Sequence, residues 1–183
     1  MSRLPPFDAD ALSPEQRKVY DAILAGPRGR IAGPIAAWLE SPGMAGPAQE
    51  LGAFLRFNTS LPPRLCELAI LVAGRFWSAQ YEFWAHARLA RKAGLEQDII
   101  DAIAERRTPA FPDADGELVY TLCMQMFETR RISPAAFDSA RNRFGVNGVV
   151  ELMGLIGYYS LVSITLNAFE VPLPEGEKAP LKE

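Results

Sequence analysis

The chain reads as an all-α protein, and three observations predict it. Apolar residues recur at helical spacing along most of its length, and no stretch alternates apolar and polar residues over the length of a strand. Three Ser-Pro pairs, Ser13-Pro14, Ser41-Pro42 and Ser133-Pro134, each set a hydroxyl cap before a proline suited to the first helical position. Gly94, between Ala93 and Leu95, sits where a helix commonly stops.

Taken in order, a first helix is expected over 14–25. Val19, Tyr20, Ile23 and Leu24 form its stripe, and Ser13 with Gln16 fits a capping box. Glycine and proline recur through 26–34 without periodicity, which reads as a loop. A short helix follows at 35–40 and a longer one at 42–58. Pro62-Pro63 opens an apolar helix ending at Arg75 or Trp77, and the next runs from Tyr81 to Lys92. Helices over 95–106, 116–130, 133–143 and 147–169 complete the chain, with a loop over 108–115. Pro172 and Pro174 end regular structure.

At 183 residues the chain fits one domain spanning 1–183, with its core motif near 61–103, and it is long enough to bury a core. Hydrophobic residues make up 49% and charged residues 22%, as in ordinary globular proteins. A formal charge of −3 gives no basic footprint, so nucleic acid is not an expected partner. The N-terminus lacks the apolar core of a signal peptide. The apolar stretch 148–169 contains Glu151, Asn167, three glycines and two tyrosines, which suits a core helix rather than a membrane span. Cys66 and Cys123 are far apart in sequence and form no metal or redox motif, so a reducing cytoplasm is the expected compartment.

His86 is the only histidine, and Glu82 stands one helical turn before it. Histidine ionises nearest neutrality, so it is the first candidate for proton transfer. A hydrogen-bonded core histidine would look the same in sequence, and Glu82 alone could be a plain i,i+4 partner. Glu67 interrupts an aliphatic run and needs a partner if buried; Arg64 and Arg75 are the local candidates for a structural pairing. Arginine meets carboxylates bidentately, which nominates Arg28 and Arg30 in the Gly/Pro loop, and Arg56 and Arg75 on helices, for holding a substrate acid. Exposed arginines also simply solvate a surface. No His-x-His or His-x-x-x-His pair supports a metal, and none is expected.

The spacing Glu67, eleven residues, Ala79-x-x-Glu82, three residues, His86 resembles the carboxymuconolactone decarboxylase family, which shares its fold with the alkylhydroperoxidase D-like proteins. In the redox members, cysteines stand at the positions of Ala79 and Glu82. Arg64-x-x-Glu67, Gly52-Ala-Phe-Leu-Arg56 and the 26–34 loop extend the resemblance. It implies an alkylhydroperoxidase D-like helical bundle that forms homo-oligomers, without the disulfide chemistry. It further implies a cofactor-free carboxy-lyase acting on a small carboxylated lactone or aromatic-catabolism acid. In that reading His86 moves the proton, Glu82 orients it, Glu67 polarises the pocket, Tyr81 donates to the developing oxyanion, and Arg28, Arg30 and Arg75 bind substrate. The rival reading is a non-catalytic small-ligand-binding oligomer of the same fold; a third is peroxide reduction through Cys66 or Cys123.

Overall fold

The computed structural model describes residues 2–182 and contains eight helices, with no strand among them. They are α1 (Pro14–Ala25), α2 (Ile35–Leu39), α3 (Pro42–Phe57), α4 (Pro63–Phe76), α5 (Gln80–Lys92), α6 (Gln97–Ala104), α7 (Ala114–Thr129) and α8 (Pro134–Ala168).

Helix α4 is the centre. Every residue from Leu65 to Arg75 is buried, the pattern of a helix surrounded on all sides. It packs on α5, α6, α7 and α8, while α1, α2 and α3 form a second group that reaches the core through α3 and α8. Trp38 on α2 donates its indole N–H to Thr165 Oγ1 on α8 at 2.9 Å, tying the groups together without leaving a buried donor unpaired.

The helix starts follow local chemistry. Ser13 accepts from the Gln16 amide, and the Gln16 side chain accepts from the Ser13 amide, completing the capping box. Ser133 caps α8 through the Ala136 amide. Ser41 does not cap: its backbone lies at φ −130°, ψ 79°, and its hydroxyl makes no bond to the helix. There the proline at the first position suffices to start α3.

Two helices expected over 133–143 and 147–169 are joined as α8, with Gly145 (φ 70°, ψ 170°) as the break between them. The apolar part of α8 is long enough to cross a membrane by length and composition, yet 61% of that window is buried inside the protein. It is a core helix, as its interspersed polar residues suggest. Glu151 on its inner side accepts from the Ser60 amide at 2.7 Å, the Ser60 hydroxyl at 2.6 Å and Asn147 Nδ2 at 3.0 Å. Burial opposes its charge, but the Ser60 and Asn147 donors prevail and hold its carboxyl below the usual value. Glu151 therefore anchors the turn that leads into α4.

The backbone at Gly145 occupies a region essentially reserved for glycine, so Gly145→Ala is expected to destabilise the protein by about 1–3 kcal/mol. Gly157 is helical with open space where a Cβ would stand, so Gly157→Ala should stabilise by up to about 1 kcal/mol. Urea unfolding of the two variants measures both; equal shifts of the same sign would contradict the break at Gly145.

Candidate functional site

Helices α4 and α5 are joined by three residues, so they run antiparallel and in contact. Pro62-Pro63 sets the start of α4 and places Glu67 one turn in, while the short link sets the register of α5. Glu67 thereby faces His86, with Glu82 a turn before it on α5. The imidazole is held between two carboxylates: Nδ1–H donates to Glu67 Oε2 at 2.7 Å, and Nε2 lies 3.0 Å from Glu82 Oε1. Glu82 Oε1 is fully buried, and this close approach to the imidazole is its one polar contact among the described residues. Neither Arg64 nor Arg75 takes the carboxylate of Glu67; Arg64 pairs with Asp113 at 2.8 Å instead.

His86 is 5% exposed and Glu82 3%. Burial disfavours the imidazolium, but the charge of Glu82 and then of Glu67 outweighs it, raising the His86 pKa from 6.5 to about 9. The ring of Tyr159 meets the imidazole edge-on at 5.0 Å between centroids. Burial chiefly, then the charge of Glu82, pushes that phenol well above its ordinary value, which keeps it neutral.

Glu82 and His86 line a cavity of about 290 Å³; Glu67 lies behind them and does not. Arg28 and Arg30 enter from the 26–34 loop, Arg56 from α3, and Tyr81, Trp84, Arg88 and Lys92 from α5. Of the cations, Arg88 is balanced by Glu177 at 2.5 Å and lies over the Trp84 ring at 4.6 Å. Among the described residues no carboxylate lies within ion-pair distance of Arg28, Arg30, Arg56 or Lys92. Four uncompensated cations around one small cavity favour an anionic occupant.

Arg28 is positioned from the core. Its Nη2 donates to the Tyr158 hydroxyl at 3.2 Å, and both groups lie directly over Gly52 on α3. A Cβ on Gly52 would stand 2.0 Å from the Tyr158 hydroxyl and 2.4 Å from Arg28 Nη2. The absence of a side chain at this position is what admits the arginine.

The structure thus brings His86, Glu82, Tyr81, Arg28 and Arg30 to one cavity, with Glu67 supporting from behind. Arg75 is not with them: it lines a separate cavity beside α6 and α7. It lies more than two turns beyond Glu67 on α4, at the far end of the helix. Arg88 and Lys92 were not singled out from sequence, yet the α5 positions 81, 84, 85, 88, 89 and 92 follow the helical repeat and all face the cavity. Extending the stripe forward from Tyr81 would have found them. Among the described residues no cluster of three acidic, histidine or cysteine side chains could hold a metal ion.

No family sequence model matches the chain, and no curated protein is detectably similar in sequence. Solved structures are similar. An uncharacterized peroxidase-related protein from Silicibacter sp. TM1040 superposes with a TM-score of 0.73 at 15% identity, over 92% of this chain and 90% of that one. An uncharacterized peroxidase-related protein from Ralstonia eutropha JMP134, an alkylhydroperoxidase AhpD core, gives 0.75 at 13%, over 95% and 93%. A Cys-to-Ala variant of the debrominase Bmp8 in complex with 2,3,4-tribromopyrrole gives 0.69 at 15%, over 98% and 96%. The protein has the alkylhydroperoxidase D-like helical fold, as its spacing of Glu67, Glu82 and His86 suggested.

Because the His86 pKa is higher folded than unfolded, its contribution to stability is complete below about pH 6.5 and is lost as pH rises through about 9. The full contribution is on the order of 3 kcal/mol. As the single histidine, His86 gives one imidazole resonance; its NMR titration should have a midpoint near 9, and a midpoint near 6.5 would refute the double carboxylate contact. Gly52→Ala should destabilise by about 1–3 kcal/mol through overpacking. A calorimetric or urea measurement within 0.5 kcal/mol of the parent would contradict the placement of Arg28 and Tyr158 over α3.

Proposed function

We propose that the protein is a cofactor-free carboxy-lyase acting on a small carboxylated lactone or related ring-cleavage acid. The observation that carries this reading is an imidazole held 2.7 Å and 3.0 Å from two buried carboxylates, beside a cavity lined by four cations without an ion-pair partner among the described residues. Arg28 and Arg30 bind the substrate carboxylates, with Arg56 and Lys92 adding field. The bond to the departing carboxylate breaks, carbon dioxide leaves, and the electron pair passes into the ring carbonyl as an enolate. Tyr81 donates a hydrogen bond to that oxygen. The Nε2 proton of His86 goes to the carbanion carbon, and solvent then reprotonates the ring. Glu82 stabilises and orients the imidazolium from the cavity side and Glu67 from behind, which suits His86 to act as the acid.

Thiol peroxide reduction finds little support. Ala79 and Glu82 occupy the positions of the redox cysteines, burial raises the Cys66 thiol, and it pushes Cys123 to about 12. The non-catalytic binding reading has one observation in its favour: both nitrogens of His86 are already engaged by carboxylates. Two free cysteines agree with a reducing cytoplasm. The exposed apolar side chains Leu51, Phe54, Val146 and Val150 agree with a homo-oligomer.

Turnover of carboxylated γ-lactones, followed by carbon dioxide release, tests the proposal. His86→Gln and Glu82→Gln should each lower kcat by about 10²–10⁴-fold with little change in KM, whereas Arg28→Gln should chiefly raise KM. Ligands that raise the melting temperature without any product would establish the binding reading instead.

A further inference from the structure

Helices α4, α5 and α6 end in the same motif, with a left-handed residue closing the last turn. For α5 that residue is Gly94; for α4 it is Ser78 (φ 50°) and for α6 Arg106 (φ 58°). L side chains disfavour this conformation, and here it recurs at two neighbouring positions. The two are in contact. Ser78 Oγ accepts from Arg75 Nη1 at 3.1 Å and from Arg106 Nη2 at 3.1 Å, so one neutral hydroxyl bridges two guanidinium groups. Among the described residues no carboxylate lies within ion-pair distance of either arginine. Arg75 is only 8% exposed, and burial followed by the nearby Arg106 depresses its pKa. Its remaining hydrogen bond goes to the neutral Lys182 carbonyl at 3.2 Å.

Both arginines line a cavity of about 420 Å³ whose wall includes Val72, Phe76, Ile103 and Met124. It shares no lining residue with the His86 cavity. Glu128 also lines it and is exposed.

We propose that this cavity is a second ligand site, which takes a small organic monocarboxylate bearing an apolar chain or ring. The carboxylate lies on the Arg75–Arg106 pair, whose guanidinium groups converge on Ser78 Oγ and supply charge-assisted N–H donors. The apolar part packs against Val72, Phe76, Ile103 and Met124. Glu128 repels a second negative charge, so the site prefers monocarboxylates to dicarboxylates. The site does not depend on the lyase reading, since Arg75 lies outside the His86 cavity and no residue lining that cavity is used here.

Titration of the full chain with hexanoate by isothermal calorimetry tests it. The parent protein should bind one hexanoate at this site, and Arg106→Gln, an exposed position, should weaken binding by about tenfold or more. Met124→Trp should abolish it by filling the cavity. Glu128→Gln should let adipate bind nearly as well as hexanoate. Arg28→Gln disables the other cationic cavity and should leave the hexanoate affinity within about twofold. No saturable binding, hexanoate binding to the Arg28→Gln protein that survives Arg106→Gln, or binding removed by Arg28→Gln alone would overturn the proposal. Equal affinity for 1-hexanol would overturn it too, because the arginines would then play no part.

Discussion

The contact on which the site depends is the pairing of one imidazole with two buried carboxylates. Removing three ionisable groups from water is costly, and only mutual attraction at close range offsets it. At 2.7 Å and 3.0 Å the distances meet that condition. The pairing also sets a mechanical constraint. Glu67 belongs to α4, and His86 and Glu82 to α5, so a shift between the helices would leave a buried charge alone. The register of the two central helices and the protonation of the site are thus one problem with one solution.

Around this pairing the charges are unevenly divided. The acidic groups are inside, engaged with the histidine, and the basic groups ring the cavity mouth. Arg28 is held over Gly52 by Tyr158, Arg88 is held by Glu177, and among the described residues Arg30, Arg56 and Lys92 form no ion pair. The arrangement suits the proposed lyase, which would hold an anion and deliver a proton. The fold alone implies neither property, since proteins of one fold support unrelated chemistries.

Much of the fold was legible in the sequence because its signals are local. The capping box at Ser13, the prolines at 14, 42, 63 and 134, and Gly94 each act within one turn, and the helices start or stop beside them. Ser41 shows the limit: a suitable residue in a suitable place makes no cap when the preceding chain holds its backbone elsewhere. The separation of Glu67 from His86 and Glu82 was likewise readable, because antiparallel helices with a short link bring such positions together. Arg75 was not placed correctly. Sequence spacing cannot say which face of a helix buried all round meets which cavity. Nor does sequence reveal that Gly52, a residue without functional groups, is the seat of Arg28.

The side chain at position 82 carries one further meaning. In the arrangement that the chain resembles, a thiol stands there, while here a carboxylate closes on the histidine. The position has room for only one of these. With a thiol at position 82, His86 would keep Glu67 as its one carboxylate neighbour and lose the larger of the two charges that raise its basicity. A single helical position thus sets how strong a base the scaffold presents.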